Sequence, residues 1–170
     1  MKSSTTQRMV EPPSDIRIRV ATMDDRTAMM PAINQAFAIE TFLEGTRTDE
    51  LRLAEMMETG EFLVAQNGSG KIVASVYVEI KGKRGYLGML AVDPAEQGRG
   101  LGGVMVDAVE DYCRSKGCSG VDLVVISLRT DLPPFYRKLG YAETRTEEFR
   151  PSRKLKPGIE CHCIVMSKEF

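Results

Sequence analysis

"DPAEQGRGLGG", residues 93–103, follows an apolar run and sets four glycines and one arginine ahead of a helical pattern. Glycine lets the main chain come close to a ligand because no Cβ intervenes. A helix N-terminus adds unpaired N–H groups and a partial positive charge. Residues 98–103 therefore read as a cradle for phosphate. Two registers fit the stretch. Gly98-x-Gly100-x-x-Gly103 has the spacing of a dinucleotide-binding fingerprint. Gln97-x-x-Gly100-x-Gly102 fits equally well, and the surrounding chain decides between them.

Working outward, "YLGMLAV" (86–92) enters the loop as a strand, preceded by "EFLVAQNGSGKIVASVYVEI", two strands around the turn Asn67-Gly68-Ser69-Gly70. Three antiparallel strands thus come before the glycines. Behind them, Leu101, Met105, Ala108, Val109 and Tyr112 repeat at helical spacing up to Gly117. "VDLVVISL" (121–128) is a nearly continuous apolar run, expected as a strand buried on both faces. "LPPFYRKLGY" reads as a short helix opened by prolines and stopped by Gly140. Two strand-like stretches follow, "AETRTEEF" and "CHCIVMSKEF", around the basic loop "RPSRKLKPGIE". At the other end, "IRIRVA" (16–21) alternates as a half-buried strand. A helical pattern after Thr22 carries Pro31, which predicts a kink or split, and residues 48–60 form a second helix with Thr48 as N-cap and Gly60 as its end.

This order excludes the dinucleotide register. That fold needs a strand–helix–strand unit near its start and a carboxylate closing the second strand. Here the loop follows a meander, and the next strand ends "ISLRT".

Composition narrows the class further. A chain of 170 residues, 42% apolar and 28% charged, suits one soluble domain, with residues 1–15 as a flexible leader and 16–170 as the folded unit. A net charge of -1 gives no reason to expect nucleic acid as partner. No apolar run reaches the length of a membrane span, and no secretion signal is evident, so a cytoplasmic location is expected. Cys113, Cys118, Cys161 and Cys163 lack zinc-site spacing and read as reduced, mostly buried thiols, with no metal expected.

Two segments together carry a resemblance. "LGMLAVDPAEQGRGLGGVMVDAVEDYC" is similar to the central strand, phosphate loop and helix of the GNAT superfamily of N-acetyltransferases, with Gln97, Gly100 and Gly102 on its Gln/Arg-x-x-Gly-x-Gly/Ala motif. "LRTDLPPFYRKLGYAE" resembles the family's "fYeklGF" segment through Phe135, Tyr136, Leu139, Gly140 and Tyr141. The resemblance covers residues 16–168 and implies an α/β fold: a mostly antiparallel mixed sheet of about seven strands with a splayed parallel pair, flanked by about four helices. It implies acetyl-CoA, or a related acyl-CoA, as donor. The pantetheine arm would lie between strands 86–92 and 121–128, against the main chain of Leu90, Ala91 and Val92. The pyrophosphate would sit on Gln97, Gly98, Arg99, Gly100, Leu101, Gly102 and Gly103, with the Arg99 side chain either on the phosphate or in solvent and Phe135 also at the cofactor. Arg129, where many relatives have Asn, could bind cofactor or substrate or cap the helix region.

By the same resemblance Tyr136 is the general acid for the leaving thiolate, since a phenol of pKa about 10 can protonate a thiolate of pKa about 8.5. Many relatives place a Glu where this chain has Tyr86, so the base is open; Glu79 is a candidate through water. The acceptor is expected to be an amine, on a small molecule or on a peptide or protein. Glu40 and Glu44 could attract an ammonium group, and Arg150, Arg153, Lys154 and Lys156 an acidic substrate. An acyl-CoA sensor module without transfer activity is the alternative. The final strand could complete its own sheet or pair across a homodimer.

Overall fold

The computed structural model describes residues 11–150 and 153–170. Seven strands and four helices alternate along the chain: β1 (Arg17–Val20), α1 (Arg26–Phe37), α2 (Glu50–Thr59), β2 (Glu61–Gln66), β3 (Ile72–Lys81), β4 (Arg84–Val92), α3 (Leu101–Ser115), β5 (Gly120–Ile126), α4 (Leu132–Lys138), β6 (Ala142–Glu148) and β7 (His162–Glu169). The strands form one sheet in the order β1-β2-β3-β4-β5-β7-β6. Every neighbouring pair is antiparallel except β4 and β5. The mixed sheet with one parallel pair and four helices is the architecture expected from the sequence. No helix among the described residues is long and apolar enough to cross a membrane.

The sheet has a core on each face. On one, Leu101, Met105, Val109 and Cys113 descend α3 at four-residue spacing and pack with Val76, Val78, Leu123 and Tyr136. On the other, Met29 and Ile33 of α1 and Leu53 of α2 cover Phe62, Val64 and Tyr77. Each fully buried aliphatic side chain contributes about 1.5–3 kcal/mol, so the two layers hold the sheet from both sides.

The element that matters most for a ligand is a bulge. The β3–β4 register shifts between Ser75 and Tyr77, and Met89 opposite it takes φ +49°, left-handed for a residue other than glycine. A one-residue slip moves every later side chain to the other face. Leu87 accordingly points into the α3 layer, whereas Met89 and Ala91 point into the α1 layer and Leu90 and Val92 return to α3. The bulge also ends the parallel pairing: β4 and β5 pair only from Arg84↔Gly120 to Leu87↔Leu123. Beyond that point the two strands diverge.

Three local expectations change, and one open choice is decided. Pro31 does not break α1, which continues through it with the ring on the exposed surface. The cap of α2 is Asp49, whose carboxylate accepts from Arg52 N at 2.8 Å. Thr48 is instead buried, its N–H bonded to Asn34 Oδ1 at 3.0 Å. Val124 of β5 is 40% exposed rather than buried on both faces, because it lies past the last β4 partner. Finally, β7 is an interior strand paired with β5 and β6. It completes its own sheet, and the outer edge is β6, where Glu143, Arg145, Glu147 and Glu148 are all exposed; charge of this kind discourages edge pairing.

Candidate active site

The divergence of β4 and β5 opens a cleft of about 710 Å³ between the glycine loop, α4 and the loops after α1 and β6. Alternate backbone groups of residues 88–92 face this gap without a β5 partner. At one end the loop after β4 is pinned by Asp93. Its carboxylate is buried, accepts from Ala95 N at 3.0 Å and lies 3.1 Å from Lys71 Nζ, and these contacts hold its pKa below the usual carboxylate range. Gly98 (φ +89°) and Gly100 (φ +74°) then turn the chain into α3 through left-handed conformations, with open space where a Cβ would stand. The first α3 N–H with a helical acceptor is that of Val104, bonded to Gly100 O at 3.2 Å. The N–H groups of Leu101, Gly102 and Gly103 are left at the helix end, directed to an incoming anion.

The other glycines answer a different demand. A Cβ on Gly102 would stand 3.1 Å from Phe135 Cζ, and one on Gly103 3.7 Å from Leu139 Cδ2. Their absence lets α4 approach α3. That approach sets Phe135 and Tyr136 on the cleft wall.

Tyr136 is 4% exposed, with its ring tilted against Phe135 (5.0 Å) and Tyr141 (5.8 Å). Its hydroxyl forms no hydrogen bond among the described residues. Burial pushes its phenol above the ordinary tyrosine value, while the charge of Arg129 acts in the opposite sense. Tyr136 therefore stays protonated across the physiological range.

Of the cofactor-site and catalytic residues singled out in the sequence, Leu90, Val92, Gln97, Gly98, Gly100, Leu101, Gly102, Gly103, Arg129, Phe135 and Tyr136 line the cleft. Three do not. Ala91 is buried in the α1 layer, which the bulge dictates. Arg99 turns outward to Glu96 (2.7 Å) and to Asp15, so the last residue of the expected leader is tied to the phosphate loop. Glu79 sits outside the cleft with Lys81 Nζ at 3.8 Å.

The far end of the cleft is made of side chains. Glu40, 7% exposed, accepts from Arg129 Nη1 at 2.9 Å and from Arg153 Nη2 at 2.6 Å. Arg129 also forks onto Asp131, with both nitrogens at 3.0 Å. Glu40 is therefore a junction between arginines and not a free carboxylate, as an ammonium-binding role would need. Leu43 bridges to Leu155, and Glu44 N and Lys156 N bond to Lys154 O (2.8 Å) and Phe42 O (2.9 Å), joining the loop after α1 to the loop before β7. Arg47 and Arg52 complete this wall. Sequence reasoning passed over both. The only signal was an isolated arginine between two threonines, and nothing local says that it points inward. Among the described residues no cluster of His, Cys, Asp and Glu is set to hold a metal ion. Cys113, Cys118 and Cys163 are buried free thiols and Cys161 is half-buried.

Known proteins share the fold. The sequence model of the acetyltransferase (GNAT) family matches residues 27–141. A mycothiol acetyltransferase of Beutenbergia cavernae is 32% identical over 81 residues, which are 47% of this chain and 27% of that protein. Glucosamine 6-phosphate N-acetyltransferase 1 of Oryza sativa subsp. japonica is 30% identical over 95 residues, 56% of this chain and 54% of that one. The chain thus spans about half or less of the length of the curated relatives it matches. Among solved structures, the ribosomal-protein-S18-alanine N-acetyltransferase from Escherichia coli superposes with a TM-score of 0.73 at 19% identity, covering 91% of this chain and 93% of that one. The yncA protein from Salmonella typhimurium, solved with its cofactor acetyl-CoA, gives 0.70 at 20% identity over 91% and 94%. At such identities the likeness is one of fold.

Proposed function

The chain belongs to the GNAT acetyltransferase family, and from that premise we propose that it moves an acetyl group from acetyl-CoA directly to an amine in the β4–β5 cleft. The observation that carries this reading is the conjunction at one gap of a splayed strand pair, a glycine-turned helix N-terminus and a buried tyrosine. The fit to the donor rests on the open space over Gly98 and Gly100 and on the free strand edge of residues 88–92.

Acetyl-CoA supplies a thioester: the amine nitrogen bonds to its carbonyl carbon, the C–S bond breaks and the sulfur leaves as a thiolate. The N–H groups of residues 101–103 would hold the pyrophosphate. Unpaired main-chain groups of 88–92 would take the pantetheine amides, and an N–H near Leu90 would polarise the thioester carbonyl. Tyr136 Oη would give its proton to the departing sulfur, and the burial that keeps it protonated suits it to that role. Both carboxylates lining the cleft, Glu40 and Asp131, are bound to arginines. The acceptor amine therefore gives its proton to water.

Relatives with small-molecule and protein acceptors in their names support an amine acceptor of either kind. The test is thiol release with Tyr136→Phe. Turnover should fall at least ~10-fold while the acetyl-CoA Kd stays within about twofold. In the unaltered enzyme the rate should rise with pH as the amine deprotonates. It should show no alkaline fall below pH ~10, because the raised phenol pKa keeps the acid form present there. Equal turnover in the variant would remove Tyr136 from the chemistry.

A further inference from the structure

Five arginines (Arg47, Arg52, Arg129, Arg150 and Arg153) and only two carboxylates, Glu40 and Asp131, line the cleft. The two carboxylates are taken up by Arg129 and Arg153. Arg47 is different. It makes no ion pair among the described residues, and its Nη1 is buried without a hydrogen-bond partner. Its guanidinium carbon lies 5.1 Å over the Phe37 ring, which fixes the plane and leaves the donor edge free. Burial depresses its pKa, and the nearby Glu40 charge opposes that fall without forming an ion pair with it.

A guanidinium nitrogen left unsatisfied in the interior has lost its water without gaining an acceptor, which is unfavourable. Such a cost is relieved when a ligand supplies the acceptor. The position is also rigid. The loop carrying Arg47 is held by the paired bonds between the Asn34 side chain and Thr48 (3.0 and 3.1 Å) and by its backbone bonds to Lys154 and Lys156. Glu40, Arg153 and Arg52 are near enough for their charges to act on Arg47, as is Tyr86 on the cleft wall, and the Glu40 carboxylate is already shared by Arg129 and Arg153. The wall therefore carries excess positive charge away from the glycine loop, where the donor's phosphates would sit.

We infer that this end of the cleft is an anion subsite, and that the amine acetylated here carries a carboxylate or phosphate group that seats on Arg47 with Arg52 and Arg153 beside it. The inference rests on the transferase reading. A planar fork of donors matches either oxyanion.

Paired acceptors test it: L-amino acids against their carboxamides, and phosphoethanolamine against ethanolamine, each by thiol release with acetyl-CoA. At least one anionic member should exceed its neutral partner by at least ~10-fold in kcat/KM, through KM, and the pair that shows this separates carboxylate from phosphate. Arg47→Gln should reduce that ratio to below about threefold, and Arg47→Lys should restore part of it. The thermal midpoint of Arg47→Gln should not fall, since no ion pair is lost. Three results would overturn the inference: neutral members used as well as anionic ones, a preference that survives Arg47→Gln, or a loss of acetyl-CoA affinity in that variant, which would assign Arg47 to the donor. If acetyl-CoA binds and turns over only with neutral amines, the subsite fails while the transferase stands. If acetyl-CoA does not bind, the transferase reading fails first.

Discussion

The two ends of the cleft are built from different materials. The proposed donor end is backbone: left-handed turns at Gly98 and Gly100, the open N-terminus of α3 and an unpaired strand edge, all within residues 88–103. The proposed acceptor end is side chain: Arg47 and Arg52 come from around the start of α2, Glu40 from just after α1 and Arg153 from the loop before β7. Backbone recognition depends on dihedral angles and tolerates varied sequence around it. Side-chain recognition depends on which residues distant loops deliver. A family can therefore keep one donor while changing acceptors by altering loops, without touching the strand, the glycine loop or α3.

Substitutions that act on one end alone would sharpen the contrast. The largest effect should come from Glu40→Ala, which leaves Arg129 and Arg153 facing each other without their shared acceptor. Breaking a largely buried pair in this way costs about 3 kcal/mol, a fall of roughly 6–12 °C in thermal midpoint for a chain of this size. Acetyl-CoA affinity, measured below that midpoint, should change little. Parallel losses in both quantities would mean that the two ends are not separable.

Gly100→Val tests the donor end. A β-branched residue is strained at φ +74°, so the loop must turn differently and its N–H groups lose their aim. The acetyl-CoA Kd should rise at least ~10-fold, equivalent to about 1.4 kcal/mol. Gly102→Ala should have the smaller effect, within about threefold, because its helical backbone accepts a side chain and only the Phe135 ring at 3.1 Å must give way.

The same division explains what the sequence could tell. The hairpin at Asn67–Gly70, the α3 periodicity and the glycine loop are local patterns, and each lies where local reasoning puts it: Asn67 Oδ1 collects the N–H groups of Ser69 and Lys71, and α3 buries its four-residue stripe. Asp49 in place of Thr48 as cap is a one-residue error, decided by a distant Asn34 that takes the Thr48 N–H. The bulge at Met89 was not legible, since no glycine marks it and the left-handed angle is imposed by pairing with β3. The resemblance puts Ala91 at the cleft through its main chain and leaves Arg99 between the phosphate and solvent. The bulge turns only the Ala91 side chain into the α1 layer and leaves its main chain in the strand, while ion pairs with Asp15 and Glu96 turn the Arg99 side chain outward. Arg47 was invisible for the converse reason: its neighbours in space, Phe37, Arg153 and Tyr86, are far apart in sequence.

The most direct measurement is a calorimetric titration of the purified protein with acetyl-CoA beside NADH. Acetyl-CoA should bind one site per chain while NADH gives no heat, and Gly100→Val should weaken that binding. Binding of NADH alone would return the loop to the Gly98-x-Gly100-x-x-Gly103 register and contradict both the donor assignment and the role given to Tyr136.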